Sequence, residues 1–173
     1  ACAPAAPRAL SLALIDAMTT HETLFFRDPG FFEVLDTTVL PAIAGQLGAR
    51  PLRIWCAACS TGQEPYSLAM LLAERHPSLF ERAHIVATDI AEPTLEQGRA
   101  GTYSTLEVNR GLGAQRLVRF FEQVPGGFRV VERLRNRIQW RVCNLLDPWC
   151  HDDSYDIVLC RNVLIYFSAE DRE

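Results

Sequence analysis

The sequence predicts an α/β fold: a mostly parallel sheet with helices on both faces, a small antiparallel β-unit inserted into it, and a remnant helical segment ahead of it. Three observations carry this expectation. Apolar runs of strand length alternate with helical stretches, the pattern of crossover connections in a parallel sheet. Each presumed strand is followed by polar residues or a turn glycine. Between residues 103 and 137 the alternation stops, and two short runs flank a Gly-Gly turn.

Residues 9–18 are apolar and helix-compatible, and the polar run 19–23 ends them. Residues 31–47 read as an amphipathic helix, with Phe32, Leu35, Val39, Leu40 and Ile43 near helical spacing and Pro41 as a kink. Residues 52–58 read as a buried strand and 59–62 as a small-residue turn. A helix over 65–75 follows, with Pro65 suited to its first position; Thr61-x-x-Glu64 offers a capping box one turn earlier. Residues 84–88 form a second strand ending in Asp89, with a helix near 92–100. In the interrupting stretch, 112–121 reads as a short helix, and 120–124 and 128–134 as strands around Pro125-Gly-Gly. Residues 138–143 and 155–160 are the last strands, followed by Asn144-Leu145 and Arg161-Asn162.

Composition narrows the function classes. The 173 residues suit one domain with a small appendage. Hydrophobic residues at 49% can build a core, and a net charge of −4 without a basic block gives no footprint for nucleic acid. No apolar run approaches the ~20 residues that span a bilayer, so no direct membrane insertion is expected. Six irregularly spaced cysteines (Cys2, Cys56, Cys59, Cys143, Cys150 and Cys160) read as reduced thiols, with Cys56, Cys143 and Cys160 in or beside core strands. Cys56-x-x-Cys59 lacks a second pair for a zinc site, so no metal is expected.

In open α/β sheets, ligands bind at the carboxyl ends of the strands. Gly62, Glu64, Asp89, Asn144, Arg161 and Asn162 all fall there. Gly62 is either a close approach to a ligand or an ordinary strand-to-helix turn. The turn is not G-x-G-x-x-G, which weakens a dinucleotide reading. Asp89, 27 residues on, can accept ribose hydroxyls or cap the next helix. Asn144 offers a donor and an acceptor to a ligand, or simply makes a turn. Glu64 can meet an ammonium group or cap its helix. Arg161, at the end of a buried strand, requires a partner. The polar residues 19–23 precede Phe25, Phe26 and Arg27; they are a capped helix start over a core Phe pair, or a lid whose Arg27 holds a carboxylate.

Together these stretches resemble the CheR family, the chemotaxis receptor glutamate O-methyltransferases. The resemblance rests on Thr19-Thr-His-Glu-Thr-Leu-Phe-Phe-Arg27, Ile54-Trp-Cys-Ala-Ala-Cys-Ser-Thr-Gly-Gln-Glu-Pro-Tyr-Ser67, Ala87-Thr-Asp-Ile90, Asn144-Leu145 and Leu159-Cys-Arg-Asn-Val-Leu-Ile-Tyr-Phe167, in family order. It implies a Rossmann-like methyltransferase sheet. It also implies S-adenosylmethionine as cofactor, held by Thr23, Arg27, Glu64, Asp89, Asn144, Leu145 and Arg161, with His21, Ala58, Gly62 and Asn162 in the same motifs. Arg27 and Tyr166 match positions that place the substrate glutamate. The implied partner is the cytoplasmic domain of methyl-accepting chemotaxis receptors, met by a cytoplasmic monomer through the β-insert at about 103–137. His21 stands where asparagine is common and Gln63 where glutamate is common. The short turn at Pro125-Gly-Gly127 argues against docking on a receptor tail pentapeptide.

The expected organisation is a helical segment or linker over 1–48 and a methyltransferase domain over 49–173, lacking the last strands of the family's sheet. Rival readings are a CheR-like module that binds cofactor or a signalling partner without catalysis, a methyltransferase for small molecules or nucleic acid, and a nicotinamide-dependent oxidoreductase.

Overall fold

A computed structural model describes residues 22–147 and 154–168. The expected helix over 9–18, together with His21, Cys2 and Cys150, lies outside the described residues. Four parallel strands form the main sheet: β1 (Leu52–Ala57), β2 (Ala83–Asp89), β6 (Ile138–Val142) and β7 (Ile157–Cys160), in the order β6-β2-β1-β7. Their register matters for function. Ala57 lies beside Thr88 and Cys160, and Asp89 beside Val142. The carboxyl ends are therefore level, and the segments that follow share one rim.

Alternation of side chains decides what each sheet face packs against. Leu52, Ile54 and Cys56 of β1, with Ile85, Ala87, Ile138, Ile157 and Leu159, join the main core. That core includes α3 (Gln63–Arg75), buried continuously from Pro65 to Ala73; a helix apolar on all sides belongs inside. On the other face Trp55, Ala57 and Val86 form a smaller cluster, and the Trp55 indole N–H donates to Thr88 Oγ1 at 2.9 Å.

Ahead of the sheet, α1 (Pro29–Val34) and α2 (Leu40–Leu47) are joined by a π-helical turn, Leu35–Val39. The sequence predicts a kinked helix here, and the π turn is its form. Pro41 has no N–H and would crowd the carbonyl four residues back. Widening the ladder relieves this, and the Leu40 N–H reaches the Leu35 carbonyl five residues back. Helix α3 starts earlier than expected, at Gln63. Pro65 is therefore its third residue, still within the first turn where no N–H partner exists. No capping box forms there: Thr61 Oγ1 donates to Gln63 Oε1 at 2.8 Å instead. A short helix α4 (Pro77–Phe80) leads into β2, and α5 (Glu92–Ala100) follows it.

The antiparallel unit has three strands in the order β3-β5-β4: β3 (Thr102–Tyr103), β4 (Phe121–Val124) and β5 (Gly127–Val130). Between β3 and β4 run α6 (Thr105–Asn109) and α7 (Ala114–Phe120). Helix α6 begins with a full capping box between Ser104 and Glu107. The strand expected over 128–134 stops at Val130, and Glu132–Arg135 is a helical turn, α8. Its Leu134 is buried while Glu132 and Arg133 are exposed, a helical rather than alternating placement. Among the described residues no helix is long and apolar enough to cross a membrane.

Candidate functional site

A cavity of about 620 Å³ opens at the rim formed by the level strand ends. Five segments wall it: the one before α1, the turn after β1, the turn after β2, and the stretches following β6 and β7. The volume is that of a site for a nucleoside-sized ligand.

Backbone strain is concentrated in these walls. Phe26, Ala58, Ser60 and Asn162 hold left-handed φ values of 51°, 52°, 50° and 58°, and Asp28, beside Arg27, holds 61°. These are all the non-glycine residues of positive φ among those described. Each such residue costs about 1–3 kcal/mol and persists only where its surroundings over-determine it. In the turn after β1 the determinants are visible. The Cys59 N–H donates to the Thr88 carbonyl at 2.9 Å, the Ser60 N–H to Asp89 Oδ2 at 2.8 Å, and the Gly62 N–H to the Cys59 carbonyl at 3.0 Å. These amides are spent within the fold, so they do not form a phosphate cradle.

Asp89 is buried, and its other oxygen accepts from the Ala91 N–H at 3.0 Å. It thus builds the turn after β2 rather than capping α5, whose cap residue is Ala91. Each carboxylate oxygen has two lone pairs, so acceptor capacity remains toward the cavity. Asn144 makes the turn that its sequence context allows: its Oδ1 accepts from the Leu146 N–H at 3.2 Å. It lines the cavity all the same, with Leu145 beside it.

The requirement of a partner for Arg161 is met several times over. Its guanidinium donates to Glu64 Oε2 at 2.8 Å, to Asp28 Oδ2 at 2.5 Å and to the Arg27 carbonyl at 3.3 Å, and lies 4.0 Å from the Phe31 ring centroid. Burial pushes the Glu64 carboxyl above the usual carboxylate range, although Arg161 and Arg27 pull it down. Arg27 is half-buried and donates to the Glu22 carbonyl at 3.0 Å. Tyr166 is 64% exposed and stands at the cavity's edge on a short 3-10 turn, Leu164–Tyr166.

Of the expected site residues, Thr23, Arg27, Ala58, Glu64, Asp89, Asn144, Leu145, Arg161, Asn162 and Tyr166 all line this one cavity. His21 lies outside the described residues. Gly62 does not line it. The close approach that needs a glycine there is to Trp140, whose Cη2 would stand 2.5 Å from an added Cβ. Sequence reasoning did not single out Ser60, Ile90 or Phe32 as lining residues. Ser60 and Ile90 carried a usable signal, since each adjoins a strand-end motif.

The cysteines divide. Cys56 and Cys59 are buried free thiols whose pKa values burial raises well above the usual range, so neither is a reactive nucleophile. Cys143 corrects the expectation of reduced thiols. It sits just past the end of β6, half-buried rather than within the strand, and is disulfide-bonded. Among the described residues no cluster of metal-ligating side chains occurs.

The formal charge of the lining side chains bears on the ligand. Three carboxylates (Glu22, Glu64 and Asp89) face two arginines (Arg27 and Arg161), leaving one formal negative charge. A compact monocation suits that balance; a dianionic pyrophosphate does not.

Comparison with known proteins gives a consistent picture. The family described as CheR methyltransferase, SAM binding domain, matches residues 21–173. Chemotaxis protein methyltransferase 1 of Pseudomonas aeruginosa is 48% identical over 162 residues, covering 91% of this chain and 59% of the relative. Chemotaxis protein methyltransferase of Vibrio parahaemolyticus is 46% identical over 167 residues, 94% of this chain and 60% of the relative. The protein of the same description in Borreliella burgdorferi is 32% identical over 168 residues, 93% of this chain and 59% of the relative. The chain thus spans about 60% of the length of these relatives.

Proposed function

Because the chain belongs to the CheR methyltransferase family, through that family's S-adenosylmethionine-binding domain, we propose that it transfers a methyl group from S-adenosylmethionine to glutamate side chains on the cytoplasmic domain of chemotaxis receptors, acting in the cytoplasm as a monomer. The observation that carries this is the convergence of five segments, with their strained backbone and a single net negative charge, on one cavity at the strand ends. The residues present fit the cofactor. It is a monocation at neutral pH, matching the cavity's charge. Asp89 is the acid for the ribose hydroxyls, Glu64 faces the amino group, Asn144 and Leu145 take the adenine side, and Thr23, Ala58, Arg161 and Asn162 complete the walls.

Bound S-adenosylmethionine supplies an electrophilic methyl group on a sulfonium centre. The chain's own task is alignment and dehydration. A free glutamate carboxyl has a pKa of about 4.3, so it is ionised at neutral pH and no general base is required. Arg27 orients the carboxylate through its planar fork, and Tyr166 adds a hydrogen bond without adding charge. Holding both reactants in place is worth on the order of 7–11 kcal/mol. Arg27→Ala is expected to lower turnover about thirtyfold, the loss of a charged hydrogen bond, and Tyr166→Phe only about threefold. Equal turnover in Arg27→Ala and the parent would remove that role.

The test is transfer of labelled methyl from S-adenosylmethionine to a receptor cytoplasmic fragment, with and without its tail pentapeptide. Base-labile label on glutamate, equal in the two fragments, is the expected result; the short turn at Pro125-Gly-Gly127 supports docking that ignores the tail. Cofactor binding with no transfer to either fragment would favour a binding module instead.

A further inference from the structure

The antiparallel unit reaches the cavity through a side chain that lines none of it. Tyr103, in β3, is 1% exposed, and its hydroxyl donates to the Thr61 carbonyl at 2.7 Å. Thr61 lies in the turn after β1, next to the cavity-lining Cys59 and Ser60. The same ring meets Phe25 edge-on, with centroids 5.0 Å apart at 80°. Phe25 is fully buried inside the segment whose Thr23, Leu24 and Arg27 line the cavity. One tyrosine of the antiparallel unit thus touches two of the five walls.

Other contacts from the same unit reinforce the second of these walls. Phe121 of β4 meets Phe25 at 5.6 Å and 87°. An added Cβ on Gly111, between α6 and α7, would stand 1.9 Å from the Phe25 carbonyl oxygen, so the two backbones are in direct contact. The Arg116 guanidinium of α7 lies 3.7 Å from the Phe26 ring centroid. Burial raises the Tyr103 hydroxyl well above its usual pKa, which keeps it a neutral donor throughout the working range.

We propose that Tyr103 is a positioning residue for cofactor binding, tying the antiparallel unit to both the turn after β1 and the segment before α1, so that this unit is a working part of the cofactor site. The inference rests on the reading of the cavity as an S-adenosylmethionine site. Ala58 and Ser60 hold left-handed backbone, which survives only under external constraint. The phenol on Thr61 is one such constraint, beside the hold of Asp89 on the Ser60 N–H.

Tyr66 provides the control. It is equally buried, and its hydroxyl also donates to a carbonyl at 2.7 Å, but to that of Gly98, which does not line the cavity. The experiment titrates S-adenosylhomocysteine into the parent chain, Tyr103→Phe and Tyr66→Phe, and follows amide hydrogen exchange over residues 59–62. Tyr103→Phe is expected to bind about tenfold more weakly, from the loss of one buried hydrogen bond, with faster exchange in the turn; Tyr66→Phe is expected to bind within about twofold of the parent. Parental binding by Tyr103→Phe, or equal weakening in both variants, would overturn the proposal. A parent chain that binds no S-adenosylhomocysteine would instead overturn the underlying reading of the cavity, and the proposal with it.

Discussion

Arg161→Ala is expected to destabilise the fold by about 3 kcal/mol and to abolish measurable cofactor binding. The side chains of Arg161 and Glu64 are 16% and 15% exposed, and their hydrogen bond is 2.8 Å long. Removing one partner of such a pair costs about 3–5 kcal/mol, because the other charge is left buried and unpaired; the lower figure applies here since the pair keeps some access to water. The loss should depend on pH with a definite sign. The folded-state pKa of Glu64 is raised from the ordinary 4.5 by burial, so its contribution to stability is present in acid and is lost as pH rises through the folded value. Without Arg161 that folded value rises further. The deficit of Arg161→Ala is therefore greatest at neutral pH and shrinks as the solution is acidified and Glu64 takes a proton. Adding Glu64→Gln removes the orphaned charge and should restore more than half of the lost stability. Urea unfolding at several pH values measures all three; a deficit independent of pH, or no recovery in the double variant, would contradict this reading.

Gly62→Ala is the second large effect. Gly62 has φ 93° and precedes the first residue of α3. A Cβ there would stand 2.5 Å from Trp140 Cη2 and 3.2 Å from the Gly98 Cα. The same edge of the indole lies against Gly98, where an added Cβ would meet Cζ3 at 2.5 Å, so a methyl at position 62 would wedge between the ring and the Gly98 backbone. The left-handed backbone costs roughly 1–2 kcal/mol for an L-residue, and overpacking adds about 1–3 kcal/mol. A domain of this size then loses on the order of 5–15 °C in melting temperature. Trimming the ring relieves the clash, so Gly62→Ala/Trp140→Leu should be less destabilised than the sum of its single variants. Additive losses, measured by thermal unfolding, would mean that the ring is not the obstacle.

These two sites show what the sequence could and could not disclose. Strands β1 and β2 were legible because a strand buried on both faces is a short apolar run bounded by polar residues, and the partly exposed β6 and β7 were legible as short strand-length runs ending in polar residues. Their level ends followed from parallel pairing, so Asp89, Asn144 and Arg161 were legible as rim residues. The demand for a partner on Arg161 was also legible, but not that Glu64 and Asp28 would both answer it, since those contacts join residues 97 and 133 positions apart. Gly62 invited a ligand reading because the wedge behind it, Trp140, comes from a strand far along the chain. In the antiparallel unit, Ser104-x-x-Glu107 carried the capping-box signature of α6 and was the available signal for that helix. The two-residue strand β3 is too short to have a period, and Tyr103 therefore gave no sign of its reach to Thr61. Residues 131–134 mix apolar and charged side chains in a way that fits either period, and the burial of Leu134 settles it as helical.

The central claim is that the cavity at the strand ends binds S-adenosylmethionine through Asp89. The most direct test is calorimetric titration of the chain with S-adenosylhomocysteine, with NAD as control ligand and Asp89→Ala, shown by circular dichroism to be folded, as control protein. The account predicts micromolar binding of S-adenosylhomocysteine, its loss in Asp89→Ala, and no binding of NAD. A folded parent chain that binds no S-adenosylhomocysteine, or that binds it equally well without the Asp89 carboxylate, would contradict it.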